Sequence, residues 1–159
     1  MDRAKTQTLK DLNMLADSLK HLLSNSYAFV IKAQQFHWNV EGPNFPQYHE
    51  FFGDLYSEVY ASLDKTAEYI RTLDAYTPGS MERFIELSDI KGQTMIPRAE
   101  LMFAEILADN EKVISCLHDC MGHAKNENNY GIENYIAERL DAHAKHGWMI
   151  KSVLKKERS

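Results

Sequence analysis

The sequence predicts an all-α fold: a bundle of four long helices, with a short extra helix in a long crossover between the second and third. Apolar residues recur at steps of three or four along four long stretches, and the breaks between those stretches hold turn-forming residues such as Gly42-Pro43-Asn44 and Thr77-Pro78-Gly79-Ser80. At 159 residues, 44% hydrophobic and 26% charged, the chain is long enough for one sizeable core. A single domain spanning residues 1–159 is expected, with flexible tails at 1–7 and 155–159.

The first stripe runs from Thr8 to His37 through Leu12, Leu15, Leu19, Leu22, Ser26, Val30 and Ala33. A helix of that length needs long partners, which a bundle supplies. His37 closes the stripe and so faces inward or into an interface. Beyond Gly42-Pro43, Asn44 suits an N-cap and Pro46 the first turn of a second long helix. Its apolar face is Phe52, Leu55, Val59, Leu63, Ala67, Ile70 and Leu73. Beside that face runs a second stripe, His49, Gly53, Tyr56, Tyr60, Asp64 and Glu68, rich in aromatic and ligand-type residues.

Met81 to Leu87 reads as the short helix of the crossover, and Pro97 as the start signal of the third long helix. That helix is marked by Met102, Ile106, Asp109, Val113, Leu117, Cys120 and Ala124. The Asn- and Glu-rich run from Lys125 to Tyr130 makes the next turn. The fourth helix follows, with Ile132, Ile136, Leu140, His143, Gly147, Ile150 and Leu154 on one face. This order, with short first and third connections and a long second one, is that of a ferritin-like four-helix bundle.

Composition narrows the function classes. Apolar runs such as Tyr27 to Ile31 fall far short of the ~20 residues of a membrane helix, and Met1-Asp2-Arg3-Ala4-Lys5 lacks the apolar core of a secretory signal. A cytoplasmic location with no membrane partner is expected. A net charge of −5 argues against a broad basic face for nucleic acid and suits attraction of cations. Cys116 and Cys120 read as two small thiols one helical turn apart, not as a disulfide framework. With His118, Asp119 and His123 they match no standard zinc spacing. His21, His118, His123, His143 and His146 read as structural.

Four residues form the candidate metal constellation: His37, His49, Asp64 and Glu68. Bundles that hold two irons inside one subunit use Glu-x-x-His pairs, and this chain has none. Along a helix rising ~1.5 Å per residue, Asp64 lies ~22 Å and Glu68 ~28 Å from His49. One ion cannot touch both ends. An antiparallel pairing of two chains about a two-fold axis removes the difficulty, because it sets the His49 end of one beside the Asp64/Glu68 end of the other. Nitrogen and carboxylate ligands with open positions suit redox-active ferrous iron, and zinc accepts the same types. Plainer readings exist for each residue: His37 as a hydrogen-bonded core histidine, His49 as a surface one, and the carboxylates as partners of Lys65, Arg71 or solvent.

The run His37-Trp38-Asn39-Val40-x-Gly42-Pro43-Asn44-Phe45, then His49, then Asp64-x-x-Ala67-Glu68, resembles the signature of the Dps family of mini-ferritins, DNA-binding proteins from starved cells. The likeness continues through Glu86-Leu87-Ser88 and Lys145-x-x-Trp148-Met149, so it covers nearly the whole chain. It implies a hollow dodecamer, built from two-fold dimers, that oxidises Fe(II) at inter-subunit sites, commonly with hydrogen peroxide, stores Fe(III) inside and protects against oxidative stress. By that resemblance His37 and His49 are iron ligands from one subunit and Asp64 and Glu68 from the other, with one or two irons per site. Trp38 matches a tryptophan beside the family's site, where an oxidisable ring intercepts one-electron oxidants; Tyr56 and Tyr60 lie on the same stripe, with interface packing the plainer role for Tyr60.

Two departures from the family stand out. Members line the iron-entry pore with aspartates near the start of the fourth helix, whereas this chain has Asn128, Asn129 and Asn134 among Glu127, Glu133 and Glu138. Glu138 is the better candidate for a retained pore carboxylate, and Glu133 the weaker. DNA binding in the family often uses a lysine-rich tail. Here Arg3, Lys5 and Lys10 are offset by Asp2 and Asp11, and Lys151, Lys155, Lys156 and Arg158 occupy a helix end where the dipole favours cations. A ferroxidase is therefore the leading expectation, and a nucleoid-compacting DNA-binding protein the alternative.

Overall fold

The computed structural model describes residues 3–157, with side chains from Met14 to Glu157. Met1, Asp2, Arg158 and Ser159, and the side chains of Arg3, Lys5, Thr8, Lys10, Asp11 and Leu12, lie outside the described residues. Six helical segments follow in order: α1 Arg3–Asn39, α2 Phe45–Tyr60, α3 Leu63–Thr72, α4 Met81–Leu87, α5 Ala99–Asn126 and α6 Tyr130–Leu154. α1 is the central strut, packed against α2, α3, α4 and α5, while α6 packs along α5. No strand occurs among the described residues, and no helix there is long and apolar enough to cross a membrane.

The expected stripes meet in one core. Leu15, Leu19, Val30 and Ala33 of α1 are buried with Phe52, Leu55 and Val59 of α2, Ile70 of α3, Met102, Ile106, Val113 and Leu117 of α5, and Ile132, Ile136 and Ile150 of α6. Removing one of these leucines or isoleucines to alanine costs about 2–5 kcal/mol.

Two local expectations are corrected. The second long helix is not continuous: it breaks at Ala61-Ser62 into α2 and α3. Ser62 turns back on Val59, its amide at 3.0 Å and its hydroxyl at 2.6 Å from that carbonyl. Tyr135 of α6 fixes the break, its hydroxyl lying 2.9 Å from the Ser62 carbonyl and 2.7 Å from Thr66 Oγ1. Serine and threonine offer a helix such alternative partners, which is why they bend it. Asn44 does precede α2, but its side chain accepts no bond from the helix; its amide points instead to Tyr48 Oη at 3.4 Å. Gly42 makes the corner, with φ 120°, a conformation that side-chain-bearing residues rarely adopt.

The asparagines near α6 have local roles. Asn128 adopts φ 52° at the corner, and Asn129 Oδ1 accepts from the Ile132 amide at 3.1 Å as the N-cap. Ser80 caps α4 in the same way.

Charged side chains also cross the bundle. Lys32, almost fully buried, places Nζ 2.7 Å from Asp109 Oδ2 and 3.0 Å from Glu105 Oε1; burial pushes the Asp109 carboxyl up, against the lowering effect of Lys32. Between α2 and α6, Arg139 donates both guanidinium arms to Glu58 at 2.5 and 2.9 Å, and His146 Nε2 donates to Glu58 Oε1 at 2.7 Å. Burial opposes ionisation of Glu58, but these bonds outweigh it and hold its carboxyl well below the usual carboxylate range. His143 Nε2 accepts from Arg139 at 3.2 Å, so Nδ1 carries the proton it gives to Asn110 Oδ1 at 2.8 Å. Burial first, then the charge of Arg139, lowers His143 to about 3.

A pH dependence follows. The unfolded chain protonates His143 near pH ~6.5 while the fold keeps it neutral down to about 3. The unfolded state thus binds more protons in that window, and stability falls as pH drops through it. Denaturant unfolding is expected to show this decline, with a shallower slope between pH 6 and about 4.5 in His143→Gln. Identical slopes would remove His143 as the cause.

Candidate metal centre

The corner between α1 and α2 brings His37 and His49 face to face. Their rings stack with centroids 3.8 Å apart and planes 15° from parallel. His37 Nδ1 lies 2.6 Å from the His49 carbonyl, and His49 Nδ1 lies 2.7 Å from the His37 carbonyl. A carbonyl has no proton to give, so each Nδ1 must carry one, and Nε2 is the ring nitrogen left to meet a metal ion. Among the described residues neither Nε2 has a hydrogen-bond partner. Metal-binding imidazoles are commonly fixed this way, with one ring nitrogen donating to a carbonyl and the other turned to the ion.

The sequence explains why the reciprocal pair forms. His37 lies in the last turn of α1, where carbonyls have no partner further along the helix. His49 lies in the second turn of α2, one turn before Gly53. A Cβ at Gly53 would sit 3.0 Å from both Cε1 and Nδ1 of His37, so the missing side chain is what admits the His37 ring to the His49 carbonyl. The Tyr56 ring meets His37 edge-on at 5.5 Å, and Phe45 lies 5.1 Å from His49.

Asp64 and Glu68 are exposed, one turn apart on α3. Neither pairs with Lys65 or Arg71, which leaves solvent as their plainer partner. Lys65 Nζ lies over the Tyr135 ring at 5.0 Å, and Arg71 donates to the Ala75 carbonyl at 2.9 Å. Among the described residues neither carboxylate forms an ion pair. Asp64 edges a cavity of about 250 Å³ shared with Tyr27, Tyr60 and Phe84.

The chain therefore joins the two histidines and sets the two carboxylates on one helix, but it does not unite the halves. Among the described residues of one chain, no three His, Cys, Asp or Glu side chains converge as a metal site requires. Trp38, beside His37, is 65% exposed and Tyr60 is 59% exposed. Glu138 is exposed and accepts from Asn134 at 3.4 Å; Glu133 is half-buried. His143 and His146 belong to the Glu58 network, and His21 Nδ1 meets the Leu87 carbonyl at 2.9 Å, in keeping with structural roles. Sequence reasoning missed Gly53 as the residue that admits His37; its only signal was a glycine on a stripe of ligand and aromatic residues.

A family model described as a ferritin-like domain matches residues 16–159. The chain is 31% identical over 134 residues to an uncharacterised low temperature-induced protein of Nostoc sp., covering 83% of this chain and 75% of that one. It is 30% identical over 123 residues to DNA protection during starvation protein 2 of Bacillus anthracis, covering 77% and 84%. The crystal structure of Dps from Staphylococcus aureus superposes with a TM-score of 0.86 at 29% identity, covering 90% of this chain and 96% of that one.

Proposed function

Because this chain belongs to the Dps family of ferritin-like proteins, we propose that it is a ferroxidase that oxidises Fe(II) with hydrogen peroxide or oxygen and stores the Fe(III) product inside a hollow, dodecameric shell. The observation that carries the reading is the reciprocal His37/His49 pair, which uses both Nδ1 atoms and turns the two Nε2 atoms to one corner. His37 and His49 of one subunit and Asp64 and Glu68 of another together hold ferrous iron as substrate. The carboxylates favour the ferric product because negative ligands stabilise the higher charge. Trp38, adjacent to the histidines, takes up stray one-electron oxidants. Anaerobic titration with Fe(II), followed by peroxide or oxygen, tests the reading: oxidation is expected in the wild type and not in His37→Ala/His49→Ala. Equal rates in the two would overturn it.

Three further outcomes are expected. Since the described residues of one chain hold no full ligand set, light scattering should report a large closed assembly, and a stable monomer with full activity would refute the reading. Gly53→Ala should weaken Fe(II) binding about 10-fold or more by displacing the His37 ring, while leaving far-ultraviolet circular dichroism unchanged. Glu138→Gln should slow iron entry at low ionic strength more than it weakens binding at the oxidation site, because a pore carboxylate concentrates cations. Unchanged entry kinetics would remove Glu138 from the pore.

A second reading, DNA binding, draws on the exposed Lys155 and Lys156 just past the end of α6. Gel shifts at low and moderate salt separate it from the first, because phosphate-driven binding collapses steeply as salt rises.

A further inference from the structure

The first turn of α3 is tied to α6 from behind. Tyr135, buried on α6, donates its phenol proton to the Ser62 carbonyl at 2.9 Å. With that one proton given to Ser62, Oη accepts from the Thr66 hydroxyl at 2.7 Å. Burial raises the phenol above its ordinary value, so it stays a donor at neutral pH. Ser62 and Thr66 are the two ends of the turn, joined by the Thr66 amide to the Ser62 carbonyl at 3.2 Å. Thr66 lies two residues after Asp64 and two before Glu68, close to half a turn from each on a helix of 3.6 residues per turn. The anchor therefore holds the buried side of α3, and the two carboxylates stand on its exposed side.

The ring of Tyr135 acts on charge. Lys65 adjoins Asp64 and precedes Glu68 by three residues, a spacing at which helix neighbours form ion pairs. Among the described residues it pairs with neither. Its Nζ lies 5.0 Å from the Tyr135 ring centroid and 6.0 Å from that of Tyr69, within the range of a cation–π attraction. Arg71, three residues past Glu68, is held over the Tyr76 ring in the same manner, at 4.8 Å. Both cations beside the carboxylates are thus drawn onto aromatic faces.

We infer that Tyr135 is a positioning residue for the proposed iron site. Its hydroxyl fixes the turn that aims Asp64 and Glu68, and its ring holds the Lys65 ammonium away from both. The inference rests on the ferroxidase reading, because it assigns Tyr135 a task only if those carboxylates take iron. Without the phenol, Ser62 and Thr66 keep their bonds to each other, so the helix survives but its first turn is no longer fixed to α6.

The test begins with Tyr135→Phe, which keeps the ring and loses the hydroxyl. In metal-free protein, amide exchange across residues 62–68 should quicken several-fold while that of α5 stays unchanged. With every ligand intact, the half-saturating Fe(II) concentration for oxidation should rise about 10-fold. An unchanged value of either quantity overturns the inference. Placement then separates aim from general loosening. One chain carries His37→Ala/His49→Ala and supplies carboxylates; its partner carries Asp64→Ala/Glu68→Ala and supplies histidines. The rise should appear when Tyr135→Phe is on the carboxylate-supplying chain and be absent when it is on the other. Equal rises from both placements mark a loss of packing and overturn the inference. A mixed assembly that is inactive even with Tyr135 intact refutes the inter-subunit site and this inference with it, an outcome distinct from equal rises. Tyr135→Leu, which also loses the ring, should raise the value further at low ionic strength, and Lys65→Gln added to it should restore the Tyr135→Phe value. No recovery overturns the part given to the ring.

Discussion

Two inactive variants are expected to make an active protein when assembled together. In one, His37 and His49 are replaced by alanine; in the other, Asp64 and Glu68. Each assembled alone has only half-built sites. In a mixed dimer, the histidines of the carboxylate-deleted chain meet the carboxylates of the histidine-deleted chain at one site, while the second site loses every ligand. Iron oxidation should reappear in proportion to the mixed fraction, at about half the wild-type activity per mixed dimer because one of two sites is restored. The expectation rests on the separation of the histidine pair from α3, and on the absence of a third converging ligand among the described residues of one chain. If verified mixed dimers are as inactive as either parent, while wild-type chains assembled identically are active, the site does not lie between subunits.

Among the polar networks, the largest expected stability effect is at Arg139. Arg139→Ala leaves the Glu58 carboxylate with His146 as its only remaining partner in this network and takes the donor from His143 Nε2. Breaking such a pair costs about 3 kcal/mol, the low end for buried pairs, since the Glu58 side chain is 39% exposed. The sign with pH is definite. The folded carboxyl lies below its unfolded value, so its contribution is present above about pH 4.3 and is lost as pH falls further. Urea unfolding of the wild type and Arg139→Ala should therefore converge on acidification. A constant gap from pH 7 to about 3.5 would place the loss in packing and not in charge.

The helices were legible because their apolar residues repeat at three and four, and every α5 residue on the predicted stripe from Met102 to Ala124 is buried, with Phe103, Asn110 and Cys116 buried beside it. The break at Ala61-Ser62 was not, since neither residue excludes a helix and the partner that fixes it, Tyr135, is 69 positions from Thr66. The cap at Asn44 looked right by residue type, yet whether its side chain meets the helix depends on a backbone angle that the residue does not specify. For the site, the spacing of His37 and His49 across Gly42-Pro43 was readable. Their stacking, the protons on Nδ1 and the space left by Gly53 were not, because they arise from how two helix ends meet. Glu58 and Arg139 escaped for the same reason: they are 81 positions apart.

On the proposed split site, a chain whose described residues bring no carboxylate to the two imidazoles would be chemically quiet on its own. Two imidazoles without carboxylates hold ferrous iron weakly, so on this proposal a newly made subunit would give iron and peroxide no place to meet. Turnover would then begin only when subunits associate, with an onset that follows roughly the square of chain concentration. The protein would then start to oxidise iron only where a compartment for the product is being built.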